Sequence, residues 1–482
     1  MLRKVFLMSC LFFAVGASAQ KEVIYQVFQR SFFDSNGDGT GDFKGIQQKM
    51  DYLQMLGVNA IMLSPIYQSD VNNNLYATDW SKTDTAYGSL NEYRSLVQEA
   101  HRRKMKVYQD LDLRYVNDKH EWYTDKTKYK DYLLLKDNAN KEYTNANREQ
   151  SQAIAVNFKK GEVRGEIVKM LQYWINPDGS SSYYSGVDGF RFSNVSDDFG
   201  GQSNLLREFW VPVIKGLRDT KADLLIMASP ADDKYTNDDF YNVGFDAVFD
   251  RKLRDGIVSF DKKKLENAIA ATMLNTPENK AQMVFVSGYD VGRFANAENY
   301  KSDQLKALAA LNVFLGGKPV IYYGEELGTP HIDEVKGMER IIWQRGDTLI
   351  SNTQWYMPFM KADGQLYEAM PVAEQIDDKQ SLFSFYKQLL GLKNHPALTE
   401  GQYVAMRNEN EYAVSFLRVS KVEKLLFVIN LSDEEQRIYL NPDIIIKFNN
   451  SRMLLGDKEW DFVRGGRAIT LPPYGVAVWQ LL

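Results

Sequence analysis

Short apolar runs recur along this chain at intervals that leave room for a helix between them. They fall at Val23–Phe28, Ala60–Ser64, Lys106–Leu113, Val187–Phe192, Leu224–Ala228, Ala247–Phe249, Met283–Ser287 and Val320–Tyr323. Each has the length and continuity of a strand buried on both faces. Several intervening stretches carry apolar residues at i, i+3/i+4 spacing, as Ile46, Met50, Leu53 and Leu56 do. Eightfold strand–helix alternation predicts a parallel sheet closed on itself, an α/β fold of the (β/α)8 TIM-barrel type.

One gap breaks the rhythm. Between the third and fourth runs, a polar stretch rich in Tyr, Lys and Asn extends from Asp118 to about Glu162. It is too long for a simple strand–helix connection, so an inserted subdomain over 118–162 is expected, with the barrel on 20–117 and 163–395. After His395 the pattern changes to alternating or short apolar segments, at Tyr412–Val419, Lys424–Asn430, Gln436–Leu440 and Ala477–Leu481. These predict an antiparallel β-sandwich over 396–482.

Residues 1–19 read as a leader. Arg3 and Lys4 precede an apolar run from Val5 to Val15, and Ala17-Ser18-Ala19 forms a small-x-small cleavage site. The run is too short to anchor stably across a bilayer. The expectation is export to the periplasm or the extracellular space. Cleavage would remove Cys10, the only cysteine, and would take the formal net charge from −5 to −7. An exported, disulfide-free chain must draw its stability from its core and from any bound metal. Mild acidity without a basic run argues against nucleic acid or an anionic membrane as partner.

The loop Asp34-x-Asn36-x-Asp38-x-Thr40-x-Asp42 alternates oxygen-bearing residues with glycines. That pattern suits a hard cation such as calcium, although Asp/Asn/Gly loops are also common as plain polar turns. Further on stands Gly186-Val187-Asp188-Gly189-Phe190-Arg191-Phe192-Ser193, a short strand flanked by glycine and ending in a polar tip.

These segments resemble the alpha-amylase family (family-13 glycoside hydrolases). Tyr25-Gln26-Val27-Phe28 with the 34–42 loop is similar to the family's first strand and the loop after it. Leu56-Gly57-Val58-Asn59-Ala60 is similar to the approach to its second strand, and Pro319-Val320-Ile321-Tyr322-Tyr323-Gly324-Glu325-Glu326 to its eighth. The resemblance implies a structural calcium on Asp34, Asn36, Asp38, Thr40 (through its carbonyl) and Asp42.

The resemblance also implies a retaining hydrolase site, which needs one nucleophilic carboxylate and one acid/base carboxyl group. The nucleophile position holds Ser193. Aligning Leu225-Ile226-Met227-Ala228-Ser229-Pro230 places Ala228, or with a one-residue slip Ser229, at the acid/base position. Asp110, Arg191 and Asp290 are retained, while Arg114-Tyr115 and Gly288-Tyr289 stand where family members usually have Asn-His. Neither alanine nor serine transfers a proton as a carboxyl group does, and no histidine lies on a motif that would put it beside Ser193.

The expectation is therefore an alpha-amylase-like protein that binds maltooligosaccharide or starch-type alpha-glucan without cleaving it. Tyr76, Asp79, Tyr115, Arg191, Tyr289 and Asp290 are the candidate sugar-binding residues. Aromatic rings stack on a sugar's apolar face and carboxylates take its hydroxyls. Two alternatives stand beside it: an active enzyme using Asp197, Asp198 or Asp232 as stand-in carboxylates, and a scaffold with a closed barrel mouth serving a protein partner.

Overall fold

The structure, a computed structural model, describes residues 22–482 apart from 136–138, 296–300, 333–336, 346–350, 356–369, 441–449, 458–460 and 464–465. The leader read at 1–19 lies outside the described residues.

Eight parallel strands close into a barrel: β1 (Ile24–Val27), β2 (Ala60–Leu63), β3 (Lys106–Leu111), β4 (Gly189–Val195), β5 (Leu225–Pro230), β6 (Ala247–Phe249), β7 (Ala281–Val284) and β8 (Lys318–Tyr322). Each pairs with its sequence neighbours, and β8 returns to β1 with Ile24 opposite Val320. Alternate residues divide between two cores. Ile24, Ala60, Met62, Tyr108, Met227, Phe249, Met283 and Val320 fill the barrel interior. Their strand neighbours, among them Val27, Ile61, Val107, Phe192 and Ile226, pack outward into the core shared with the helices.

The helices follow from local chemistry. Leu90–Arg102 starts in a capping box between Ser89 and Glu92 and buries Tyr93, Leu96, Val97 and Ala100 along one face. Ile46, Met50, Leu53 and Leu56 are all fully buried, as their spacing predicts. They belong to two short helices, Phe43–Gln48 and Met50–Leu56, with Lys49 between them. The second ends at Gly57, whose φ of 105° lies in the left-handed region. Asp188 of the Gly-rich motif sits at the opposite end of β4 from Ser193. There it accepts hydrogen bonds from His101 (2.8 Å) and the Val107 amide (2.9 Å), tying β3 to β4.

The excursion is wider than the 118–162 boundaries expected. Its sheet combines Tyr67–Ser69 and Ala77–Thr83, from the connection after β2, with Tyr115–Asn117, Leu133–Leu134, Lys141–Thr144 and Gln150–Val156. The helix Gly161–Ile175 already belongs to the barrel's outer layer, packing on the helix Val211–Thr220. Two separate connections thus build one subdomain, which a single polar gap in the sequence does not reveal.

The C-terminal region forms two antiparallel sheets. Its strands are β9 (Gln402–Ala405), β10 (Ala413–Val419), β11 (Lys424–Asn430), β12 (Gln436–Leu440), β13 (Ser451–Leu455), β14 (Asp461–Val463), β15 (Gly466–Leu471) and β16 (Val476–Leu481). One sheet has the order β9-β10-β11-β16-β13 and the other β12-β15-β14. The larger sheet is fused to the barrel, since Phe416 and Phe427 share a core with Phe314 and Leu389.

At this seam Arg418 of β10 is buried and donates to the carbonyls of Leu315 (2.8 Å) and Gly401 (2.6 Å). Close by, Lys393 is buried with no hydrogen-bond partner for its Nζ. Burial, with Arg418 and Lys318 adding to it, pushes this ammonium down to about 7. The unfolded chain keeps its ordinary value near 10.5, so it binds more protons between those limits and folding stability rises with pH from about 7 to about 10. Lys393→Met is expected to raise the melting temperature by several degrees at pH 7 and to flatten that rise, as measured by thermal denaturation from pH 6 to pH 10.

Candidate functional site

The C-terminal ends of the strands converge on Arg191. Strand alternation turns Gly189, Arg191 and Ser193 of β4 inward, and Gly189 is obligatory because a Cβ there would lie 2.0 Å from the Leu225 carbonyl. The Arg191 guanidinium is buried. It pairs with Asp110 of β3 and, at 2.8 Å, with Asp290 beyond β7. It also donates to Ser229 Oγ (3.0 Å) and lies 4.6 Å over the Phe249 ring of β6.

Ser193 Oγ donates to Asp110 Oδ1 (2.7 Å), and Tyr289 Oη donates to Asp110 Oδ2 (2.8 Å). The partner of Ser193 is thus a carboxylate supplied by β3 rather than a histidine. Asp110 is fully buried, and burial pushes its carboxyl up against the opposing pull of Arg191 and the two hydroxyls. For Asp290, with a side chain 22 % exposed, burial again pushes up but Arg191 prevails and holds the carboxyl below its ordinary value.

The acid/base position is corrected by the strand's facing. Ala228 is fully buried in the outer core with the helices, whereas Ser229 points to the barrel mouth and touches Arg191. Because Arg191 pairs in register with Met227, and Phe192 with Ala228, Ser193 and Ser229 follow as the next residues of the two strands. The period-2 alternation of β5 already contains this answer: residues 225, 227 and 229 share one face.

A second cluster lies beside the first. Asp112 accepts from Arg114 (2.8 Å) and Asn194 (2.9 Å), and Asn194 adopts φ of 58°, a conformation asparagine tolerates, where β4 bulges before Val195. Tyr76 and Tyr115 meet edge to face at 6.0 Å. Tyr143 of the subdomain packs on Tyr76 at 4.7 Å, and Phe199 on Tyr115 at 5.2 Å. Tyr143 and Phe199 were not expected here; they lie in polar, irregular sequence that carries no periodic signal.

Of the expected sugar-binding residues, Arg191, Tyr289 and Asp290 form one network, and Tyr76 and Tyr115 one aromatic cluster. Asp79 joins neither: it accepts from the Ser81 amide (2.8 Å) and pairs with Lys82 (2.9 Å). The stand-in carboxylates are committed to local structure. Asp197 accepts the Leu206 amide (2.9 Å), Asp198 pairs with Lys234, and Asp232 accepts the Lys234 amide (3.0 Å).

In the 34–42 loop, Asp34 takes the amides of Gly37 and Gly39 (both 2.7 Å), and Asp42 takes those of Ser35 (3.0 Å) and Gly45 (2.6 Å). Burial first, and the charge of Asp34 in addition, pushes the Asp42 carboxyl up, a condition that a cation between them relieves. Asp38 is exposed and bonds Asn36 and the Thr40 amide. Among the described residues no three His, Cys, Asp or Glu side chains are arranged to hold a metal. Asp34 and Asp42 supply hard oxygens to this loop, and each of those oxygens already takes a backbone amide.

A parallel barrel with a subdomain built from the connections after β2 and β3, a C-terminal sandwich and this Asp–Arg–Asp floor defines an alpha-amylase-type protein. The family model for the alpha-amylase catalytic domain matches residues 26–198 and 231–401, and the chain belongs to that family. The match omits 199–230, the stretch that carries Ser229.

The oligo-1,6-glucosidase of Bacillus cereus is 25% identical, covering 96% of this chain and 99% of its own. The trehalose-6-phosphate hydrolase of Bacillus subtilis is 24% identical, with 96% and 98% covered. Among solved structures, the alpha-amylase from H. orenii superposes with a TM-score of 0.80 at 23% identity, covering 96% of this chain and 100% of that one.

Arg191 is the charge that the buried Asp110 and the partly exposed Asp290 depend on. Arg191→Ala is expected to cost about 3–5 kcal/mol of stability by leaving Asp110 and Asp290 without their counter-ion, read as a drop in the urea unfolding midpoint.

Proposed function

We propose that this protein binds alpha-glucan chains at the barrel mouth without cleaving them. The observation that carries this reading is the pair Ser193 and Ser229. They stand side by side on β4 and β5 where hydrolysis with retention needs two carboxyl groups about 5–5.5 Å apart. Ser193 presents a hydroxyl where this reaction uses a nucleophilic carboxylate, and Ser229 has no proton acidic enough to give to a leaving group.

What supports retained binding is the combination of Asp290, partly exposed beside Tyr289, with the rings of Tyr76 and Tyr115. The relatives named above are, by their names, an oligo-1,6-glucosidase, a trehalose-6-phosphate hydrolase and an alpha-amylase, which suits a glucan ligand.

One observation favours a second reading, a scaffold for a protein partner with a closed mouth. The acceptor oxygens of Asp110 are already taken by Ser193, Tyr289 and Arg191, and Tyr143 covers part of Tyr76. Export to the periplasm or the extracellular space, inferred from the leader pattern, accords with either reading. Among the described residues no helix is long and apolar enough to cross a membrane.

Calorimetric titration with maltoheptaose separates the two. Glucan binding gives a saturable heat with none continuing after each injection, and Asp290→Ala weakens it. A flat trace at millimolar sugar favours the scaffold, and sustained heat overturns the non-cleaving reading.

We further propose that the 34–42 loop holds calcium. Added calcium is then expected to raise the melting temperature by several degrees, an effect that chelation reverses and Asp34→Asn abolishes.

A further inference from the structure

Behind the mouth, the ends of β7 and β8 enclose a small cavity. Ser287, Arg293, Glu325, Thr329 and Tyr386 line it, with Leu305 and Leu308 of the helix Ser302–Phe314 among its apolar walls. Two atoms of this lining, Glu325 Oε2 and Thr329 Oγ1, are shielded from solvent and have no partner in the protein. Buried groups left unpaired are destabilising, so their placement around a common space calls for a ligand. The space holds about one water-sized molecule.

The charges around the cavity select the ligand's chemistry. Arg293 is already committed, to Glu339 (2.6 Å) and to the Tyr323 carbonyl (2.6 Å), and its guanidinium disfavours a second cation. The Glu325 carboxyl disfavours an anion, and its Oε1 accepts the Tyr386 hydroxyl (2.7 Å). Ser287 Oγ accepts the Phe294 amide (3.4 Å), which leaves its own proton free to donate. What remains is an uncharged molecule able both to give and to accept hydrogen bonds.

We propose that this cavity is a built site for one water molecule, which links Glu325 at the end of β8 to Thr329 and Ser287 and so braces the β7 loop that carries Tyr289 and Asp290.

Protonation of Glu325 completes the chain of bonds. Burial first, and the neighbouring Glu326 in addition, raises its carboxyl to about 8 against the pull of Tyr386 and Arg293. The titratable and charged groups facing it are Arg293 from the β7 side, neutralised by Glu339; Glu326, which takes the hydroxyls of Tyr25 and Tyr52; and Tyr386 from the helix Leu382–Leu392. At neutral pH the carboxyl keeps its proton and gives it to the water. The folded value lies above the unfolded 4.5, so the stabilisation is complete below about pH 4.5 and is lost as pH rises toward about 8.

A crystal structure of the protein at pH 6 tests the site directly, and thermal melts at pH 5 and pH 8 test the brace. The expected density is one solvent peak within hydrogen-bond reach of Glu325 Oε2 and Thr329 Oγ1. Glu325→Gln, which keeps a donor toward the water, is expected to melt higher than the parent at pH 8 and to lose much of the parent's fall between the two pH values. Thr329→Val is expected to melt several degrees lower at both. An empty cavity, an anomalous peak there after a rubidium soak, or a Glu325→Gln profile parallel to the parent overturns the proposal. If that variant fails to fold, the density in the unaltered protein decides alone.

Discussion

A guanidinium buried beneath the mouth of a barrel dictates much of what surrounds it. Arg191 has no water to solvate its charge, so carboxylates must meet it. Asp110 and Asp290 do so from strands that lie on either side of β4 around the ring. Once those are fixed, the remaining lone pairs of Asp110 need donors, which Ser193 and Tyr289 supply, while Ser229 accepts from Arg191. The network closes on itself. Two of the protein's own hydroxyls, those of Ser193 and Tyr289, are held on this floor.

The barrel was legible in the sequence because each strand is a short apolar run buried on both faces, and the spacing between runs leaves only a helix. The floor was half legible. Arg191, Asp290 and Tyr289 lie on quoted motifs and meet as those motifs imply. Ala228 was misplaced because an alignment by residue similarity ignores facing, whereas β5 alternates strictly and turns Ala228 to the helices. Asp79 was misjudged for a related reason: it lies on a subdomain strand whose sheet pairing no local pattern discloses.

The aromatic cluster was the least legible part. Tyr76, Tyr115, Tyr143 and Phe199 come from three different connections, after β2, β3 and β4, and meet where the subdomain sheet lies over the mouth. Contacts of that kind depend on long-range pairing, such as Tyr115 opposite Ala155, and leave no periodic trace. The same holds for the larger sandwich sheet, whose β13 pairs with β16 across the two strands of the smaller sheet.

The seam at Arg418 bears on how the molecule comes apart. Its guanidinium grips the carbonyl of Leu315, and Gly316 is excluded from bearing a side chain because a Cβ would lie 2.3 Å from Arg418 Nη1. Phe314 and Phe427 continue one apolar mass across the same boundary, with ring centroids 4.8 Å apart. The sandwich is therefore less an appendage than the outer wall of the helix Ser302–Phe314, which packs against β8. A seam of this kind couples the two regions, so that loosening a C-terminal strand is expected to shorten the time for which the barrel stays assembled.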